Sequence, residues 1–288
     1  MKYTCKRGSP KGNQPLSSCT IRAFGRMDGF EAKRSEVQRK MEWRRRGRAA
    51  IVHWGVCMAV AAGVAILVLL VWYPWPYRIV SGGEDLLFLV MTVDVIMGPL
   101  ITLAIFDIRK PTRELRRDLS IIVTFQLMAL GGGLYTVFMA RPAVLALEVD
   151  RFRVTTAVDV AVEEFPRAQP EFRSLSMSGP RLVTVALPTR EQKYDAVMSG
   201  MAGLDLGSRP MFWREWGPEA RRQTLKAGKP VAPLMSHATE ELRDAIARTG
   251  MSVEQLLYLP MLARRSDWSV LVDKTTGDPV GFAPIDAD

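Results

Sequence analysis

Cysteine is scarce in this chain of 288 residues and absent from most of it. The three cysteines, Cys5, Cys19 and Cys57, all lie in the first fifth of the sequence. Residues 140–288 also contain a single histidine, His237. This distribution excludes a disulfide framework, a four-ligand zinc site and a cysteine–histidine catalytic pair in the second half of the chain.

Motifs that cradle phosphates are missing as well. The sequence contains neither a Walker A motif nor GxGxxG, so no nucleotide site is indicated. Ser236 and His237 are adjacent, but the members of a catalytic triad meet in space rather than along the chain, so this adjacency is weak evidence. We therefore expect that the protein is not an enzyme and that it holds no cofactor and no metal.

Charge is missing from a run of 29 residues near the start of the chain, at 49–77. An α-helix needs roughly 20 apolar residues to cross about 30 Å of hydrocarbon, so a transmembrane span is predicted at 49–73. Two further apolar runs of 21 residues predict spans at 86–106 and 119–139. Residues 49–139 are therefore expected to form a three-helix transmembrane region.

A cleaved signal peptide is the alternative interpretation of the first apolar run. Its apolar part is about twice the usual length, and no A-x-A site follows the segment "WYPWPY" at 72–77. This segment contains Trp72, Trp75 and Tyr77, which are side chains typical of the membrane–water interface, and its prolines are typical of a helix end. We expect these three side chains to lie at the outer interface of the lipid bilayer.

Positive charge is concentrated before the first span. Residues 1–50 contain 14 Lys and Arg against 4 Asp and Glu, whereas residues 141–288 contain 19 against 20. A second basic stretch, at 109–117, joins the second and third spans. Because basic loops stay on the cytoplasmic side, we predict a multi-pass protein of a bacterial inner membrane, with a cytoplasmic N-terminus and residues 140–288 in the periplasm.

Residues 1–48 form the basic N-terminal arm, which we predict to be disordered because it is polar and lacks a sustained apolar period. Membrane topology and attraction to anionic lipids explain its charge, so no nucleic-acid partner is expected. The natural start is left open between Met1, Met27 and Met41, since both later methionines are suitably placed before the first span.

One acidic residue, Asp94, interrupts the second span. A central Asp costs roughly 2.5–3.5 kcal/mol on the insertion scale, whereas each of the 13 Leu, Ile, Phe and Val residues of this span returns roughly 0.3–0.6. Insertion therefore remains favourable. An ionisable group at this depth is a functional-site hypothesis, and the alternative is a protonated, hydrogen-bonded residue that packs the second span on the third.

Five other residues of these two spans belong to the same hypothesis. Pro99, directly after Gly98, predicts a kink within a turn of the carboxyl group. Gln126 is one of the few polar partners that the third span offers. Ala129 and Gly133 are four residues apart, and small residues at this spacing let another helix approach closely, the second span being the simplest partner.

Residues 140–288 are predicted to form a small α+β domain, which completes a fold of three transmembrane helices plus a C-terminal periplasmic domain. Alternating apolar residues predict a half-buried strand at 151–160, and a second strand is predicted at 181–188. Capping and stop signals predict helices at 189–198, 219–227, 240–249 and 253–258. Turn residues predict a β-hairpin at 268–285.

The aromatic group "MFWREW" stands out in this domain. Its side chains Phe212, Trp213 and Trp216 are candidates for a partner-binding patch, because aromatic residues dominate protein interfaces. Packing in the core is the alternative for aromatic residues at this spacing.

Several stretches of the chain resemble the TfpX/TfpZ family of type IV pilin accessory proteins. They are "WYPWPY", "VDVIMGPLITLAIFDIRK", "LRRDLSIIVTFQLMALGGGLYTVFMARP", "DRF" and "YLPMLARRSDWSVLVDKTTGDPV". The resemblance covers roughly residues 50–285 and is most specific in the membrane half. It implies a non-enzymatic inner-membrane factor that helps to assemble type IV pili or modulates their dynamics, together with a cognate pilin.

A second hypothesis comes from a different class of protein. It is a membrane-anchored envelope sensor or scaffold, in which the periplasmic domain binds a ligand and the basic loop at 109–117 signals inward. The loop contains no signalling domain, which favours the pilus hypothesis.

Overall fold

Three long helices make up most of the first half of the chain. The structure is a computed structural model, and it describes residues 18–106, 110–264 and 268–285, with side chains at 36, 37 and from 39 onward. The long helices are α1, α3 and α4, at Ser18–Leu67, Gly83–Ile105 and Thr112–Met139. Between α1 and α3 lie a π-helical turn and the short helix α2, at Val68–Trp72 and Tyr77–Val80.

Three helical stretches are long and apolar enough to cross a membrane, and the first of them runs from α1 through the π-helical turn. These stretches contain most of each predicted span, and they are Arg39–Trp72, Gly83–Ile105 and Thr112–Met139. Helix α1 extends far upstream of its span, so the arm that was predicted to be disordered is helical from Ser18 onward. The span provides a nucleus, and Glu, Arg, Lys and Met are good helix formers that let the helix continue. Residues 1–17 of the arm lie outside the described residues.

A mixed sheet forms the C-terminal domain. Within the described residues it has eight strands, β1 to β8, at Pro142–Leu147, Phe152–Thr156, Arg181–Val185, Trp213–Glu215, Lys229–Pro230, Leu256–Leu262, Trp268–Asp273 and Pro279–Ala283. The strand order is β4-β3-β1-β2-β6-β7-β8, and β5 pairs with β6. Pairs β1–β3 and β2–β6 are parallel, and the other pairs are antiparallel.

Three further helices, α5, α6 and α7, complete the domain at Lys193–Met201, Pro218–Ala227 and Glu240–Thr249. One core cluster brings Leu147, Phe152 and Leu259 of the sheet together with Tyr77 and Val80 of α2. A second cluster surrounds Trp213, and a third packs α7 on the sheet. The α+β class predicted for this part of the chain is therefore confirmed.

Helix α7 and the terminal hairpin were correctly predicted. The Thr239 hydroxyl accepts a hydrogen bond from the backbone N–H of Leu242 at the start of α7, and Gly250 ends the helix with a φ of 69°. Strands β7 and β8 pair as expected. Helix α6 begins one residue before its predicted start.

The helix predicted at 253–258 was wrong beyond its first turn. The capping box of Ser252 and Gln255 is present, but it closes only the 3₁₀ turn Val253–Gln255, after which strand β6 begins. The residues of β6 are nearly all apolar and buried in the sheet, so burial between two layers decides their conformation. At Thr189 and Gln192 the capping hydrogen bonds also form, yet α5 starts later, at Lys193.

We predict that Gly277→Ala destabilises the domain more than Gly250→Ala. Both glycines have a positive φ, 78° and 69°, so each alanine costs about 1–2 kcal/mol. A Cβ at Gly277 would also lie 2.5 Å from the carbonyl oxygen of Arg221, whereas nothing lies within 4 Å at Gly250. We expect an additional loss of about 1–3 kcal/mol at Gly277, measured as thermal unfolding of the full-length protein in detergent. Equal losses would contradict the contact with α6.

Candidate functional site

One hydrogen-bonding side chain from each long helix contributes to a small polar cluster within the apolar bundle. The Gln126 side-chain N–H of α4 donates to the Sγ of Cys57 of α1, with 3.8 Å between Nε2 and Sγ. Asp94 of α3 is close enough to interact electrostatically with the same thiol, and its carboxyl group is partly buried. We call Cys57, Asp94 and Gln126 the polar cluster. In an apolar surrounding such groups interact with each other because neither lipid nor water supplies partners.

Asp94 and Gln126 were predicted from the sequence, whereas Cys57 was missed. A cysteine in an apolar helix behaves as a small hydrophobic residue, so nothing in the composition of the first span marks it. Its side chain is buried, at 6% exposure. The available signal was the scarcity of polar side chains in the three spans, since any such group must find a partner inside the bundle.

Gly98 makes room for the cluster. A Cβ at this position would overlap the side-chain amide of Gln126, so only glycine lets that amide lie against α3. The next residue, Pro99, lies inside α3, and the helix continues to Ile105. The contact at Gly98 was not predicted, and the kink expected at Pro99 stays a prediction.

Gly133 permits the close approach of α3 and α4 that the sequence suggested. A Cβ there would lie 2.6 Å from Cγ1 of Val90. Ala129, its predicted companion, is exposed and takes no part in this contact, and nothing lies within 4 Å of a Cβ at Gly131 or Gly132. The predicted pair of small residues therefore acts through Gly133 alone.

A second polar contact joins α1 and α3, and the sequence did not predict it. Nδ1 of His53 and Oγ1 of Thr102 are 2.6 Å apart, and Thr102 is buried. The contact forms for the same reason as the polar cluster. A hydroxyl or imidazole group without a hydrogen-bond partner in hydrocarbon costs roughly 2–7 kcal/mol.

The aromatic segment after α1 packs against the C-terminal domain. The Tyr77 ring is only 7% exposed and lies 5.4 Å from the Phe282 ring of β8. The Trp75 ring contacts Trp268 and Phe282, and the guanidinium of Arg248 lies 4.7 Å from its centroid.

Tyr77 therefore corrects an expectation. Its ring lies in the domain core, where protein and not lipid covers it, because the prolines of "WYPWPY" direct the chain into α2, which the sheet covers. Burial raises the pKa of the Tyr77 hydroxyl above its usual range. Trp75 remains partly exposed, at 37%, and Trp72 packs on Phe138 with 5.0 Å between ring centroids, so these two remain candidates for interface residues.

Tyr73 ties the ends of the long helices together. Its buried hydroxyl donates to the carbonyl oxygen of Val137 near the end of α4, at 2.8 Å, and its ring covers Gly83 at the start of α3. The backbone N–H of Gly179, just before β3, donates to the carbonyl of Val71 at 2.9 Å.

Arg141 makes the corresponding connection at the start of the domain. Its guanidinium lies 3.7 Å from the centroid of the Phe138 ring and donates to the carbonyl oxygens of Phe138 and Ser176, at 2.7 and 3.2 Å. The side chain is 3% exposed, and this burial lowers the pKa of the guanidinium from its usual value. We call Tyr73, Trp75, Tyr77 and Arg141 the aromatic joint.

The aromatic group of the domain belongs to the core and does not form a surface patch. Phe212 and Trp213 are each 2% exposed, and the indole N–H of Trp213 donates to the carbonyl of Gly207 at 2.9 Å. Trp216 stacks on Phe152 and donates to Asp278 at 2.8 Å. This placement corresponds to the core alternative, because Phe212 and Trp213 are buried in one core cluster and Trp216 packs against another.

An open groove of about 810 Å³ lies beside β3, β4 and one side of α6. Its charged lining has both signs, with Asp150, Arg214, Glu215, Glu219 and Lys226. In the described parts of the chain, no group of three or more His, Cys, Asp or Glu side chains is arranged to hold a metal ion.

These elements define a class of protein in which three apolar helices are joined to a folded mixed-sheet domain. Comparison with known proteins identifies the family. The family described as "Fimbrial assembly protein FimB" matches residues 41–82, which contain the apolar part of α1 and most of the aromatic joint. No solved structure matches the chain.

The relatives come from Dichelobacter nodosus. "Fimbrial assembly protein, serogroup I" is 32% identical over 229 residues, which is 77% of this chain and 89% of that relative. The serogroup E1 protein is 31% identical over 229 residues, with the same coverage. The protein of serogroups C1 and C2 is 36% identical over 117 residues, 41% of this chain and 89% of that relative. The chain belongs to the fimbrial assembly protein family.

We predict that Gly133→Ala loosens the helix bundle, whereas Gly132→Ala does not. The added methyl group would press on Val90 at residue 133 but would meet nothing at residue 132. At residue 132 the remaining effect is the higher helix propensity of alanine, which is stabilising. Overpacking at residue 133 should lower the free energy of unfolding by about 1–3 kcal/mol. Thermal unfolding in detergent should therefore show a lower midpoint only for Gly133→Ala. Val90→Ala in the same chain should restore part of this loss; equal midpoints for the two alanine variants would contradict the contact.

Proposed function

We propose that this protein is an accessory factor of type IV pilus assembly in a bacterial inner membrane, that it acts with a cognate pilin, and that it does so without catalysis. The observation that carries the proposal is the similarity over 77% of the chain to a protein named for fimbrial assembly. The resemblance of the membrane half to the TfpX/TfpZ pilin accessory proteins supports the finer assignment to type IV pili.

We further propose that the N-terminus faces the cytoplasm and the C-terminal domain faces the periplasm. The basic residues before the first span and in the loop after α3 support this orientation. In that loop region Lys110 forms an ion pair with Asp118, with 2.6 Å between Nζ and Oδ2.

The aromatic joint gives the proposal a physical mechanism. Tyr73 contacts the start of α3 and the end of α4, while Trp75, Tyr77 and Arg141 contact the domain. A pilin that binds the domain would therefore act directly on the ends of the three helices. Such coupling is what a factor needs if it holds a pilin in the membrane while the pilin's outer part is being moved.

A membrane-anchored envelope sensor or scaffold is the second candidate function. The groove beside β3 and β4 favours it, because an open concave surface with a few charged groups is typical of ligand sites. In that case a small ligand in the groove, rather than a pilin, would be the partner of the domain.

Deletion of the gene tests the first candidate against the second. We expect surface pili, sheared from the cells and quantified, to fall at least about tenfold while total pilin on a blot stays present, and twitching motility to be lost. Re-expression of the wild-type chain is the control. Unchanged pili and motility would overturn the accessory function and favour the sensor.

Two substitutions of Asp94 separate a charged role from a packing role. Asp94→Asn keeps the shape and most hydrogen bonding but removes the charge, whereas Asp94→Leu fills the space without hydrogen bonds. If packing with Gln126 and Cys57 is the role, Asn should retain most surface pili and Leu should lose them, with protein levels checked by blot. Loss in both variants, at normal protein levels, would assign the function to the charge.

A further inference from the structure

Helix α5 presents its apolar face outward. Its large apolar side chains lie within an arc of about 100° on one side, because residues three, four and seven apart share a helix face. These side chains are Tyr194, Val197, Met198 and Met201, and they are 76%, 54%, 48% and 79% exposed. None of the residues of α5 is buried. A 9-residue helix that exposes its four largest apolar side chains is the reverse of an ordinary surface helix.

The opposite face holds α5 on the domain through polar contacts. Arg209, which is 3% exposed, donates from Nη2 to Asp195 at 2.7 Å and from Nη1 to Ser199 at 3.3 Å. The same guanidinium pairs with the buried Glu164 at 2.7 Å. Asp195 and Ser199 are four residues apart and share one face, so this anchorage fixes which side of α5 faces outward.

The apolar residues are arranged symmetrically about the middle of the helix. A twofold axis between Val197 and Met198 relates each position of the face to another: Tyr194 would meet Met201 of a second copy, and Val197 would meet Met198. A tyrosine ring against a methionine sulfur is a favourable contact. We propose that this face is a docking surface for a second copy of the chain, with the two α5 helices packed antiparallel.

Charge complementarity supports this occupant. Lys193 begins α5, and the last turn of the helix has no basic residue. Antiparallel packing places Lys193 beside the C-terminal carbonyl groups of the second α5, where a cation is favourable and where the helix itself supplies none. The membrane helices also anchor every copy at the same height and with the same side outward, which permits a twofold axis along the membrane normal.

The area of the face matches a weak dimer. Four such side chains expose on the order of 500 Å² per copy, hence about 1,000 Å² for the pair, which is the lower limit of specific interfaces. An apolar patch of this size is also near the largest that a monomer commonly exposes. We therefore infer a reversible dimer.

Cysteine crosslinking of the full-length protein in membranes tests the inference and its register. The chain has no cysteine after Cys57, so Cys5→Ser and Cys19→Ser provide a background in which an added thiol is alone in the domain. Met198→Cys lies next to the axis and should form a disulfide-linked dimer on oxidation. Tyr194→Cys should not, because its two copies lie about 10 Å apart along the helices. Co-expression of Tyr194→Cys with Met201→Cys should restore the crosslink.

Two controls make the result decisive. Asp244→Cys, on the exposed side of α7, should give no dimer, and Met201→Glu in the Met198→Cys chain should lower the crosslinked fraction at least tenfold without changing the thermal midpoint, since Met201 is exposed. Crosslinking of Met198→Cys at the level of Asp244→Cys, or equal crosslinking at Tyr194 and Met198, would overturn the proposed dimer.

Discussion

The structure depends on one constraint, which is that a polar group surrounded by apolar side chains must have a polar partner. The hydroxyl of Tyr73 meets it by donating to the backbone of α4. The Nη1 and Nη2 groups of Arg141 meet it by donating to two carbonyl oxygens, whereas the buried Nε of the same guanidinium has no hydrogen-bond partner among the described residues. Two of these partners, the carbonyl groups of Val137 and Phe138, lie in the last turn of α4, and the third belongs to Ser176 of the domain, so the same hydrogen bonds connect the end of α4 to the domain.

The same constraint explains the glycines of the bundle. Gln126 reaches Cys57 only because Gly98 has no side chain, and α4 approaches α3 closely only because Gly133 has none. Helices in lipid associate through dispersion and interhelical hydrogen bonds rather than through the exclusion of water. The points where two helices approach most closely therefore contribute most to their association. Asp94 interacts electrostatically with Cys57 in this packed region, so a substitution at Asp94 changes packing and charge together.

The sequence was most informative where one physical effect dominates. Long apolar runs located the three long helices, and the Thr239 cap with Gly250 located α7 with its observed bounds. It was less informative where tertiary burial overrides local signals. The capping box at Ser252 is real, yet β6 follows because its apolar residues are covered on both faces.

Among the site residues, Asp94 and Gln126 could be predicted because polar side chains are rare in spans, whereas Cys57 resembles its apolar neighbours. Tyr77 could not be placed correctly, since the interface pattern of "WYPWPY" is the same whether lipid or a protein core covers the ring. Phe212 and Trp213 illustrate the same ambiguity within the domain.

The burial of α2 in the sheet has a consequence for biosynthesis. Tyr77 and Val80 complete a core whose other members come from β1, β2, β6 and β7. The loop that carries them is synthesised before any strand, and its contact with Phe282 is encoded about 200 residues later. Folding of the sheet therefore depends on a segment that precedes α3 and α4 in the chain, and a fragment that begins after α4 would lack part of its own interior.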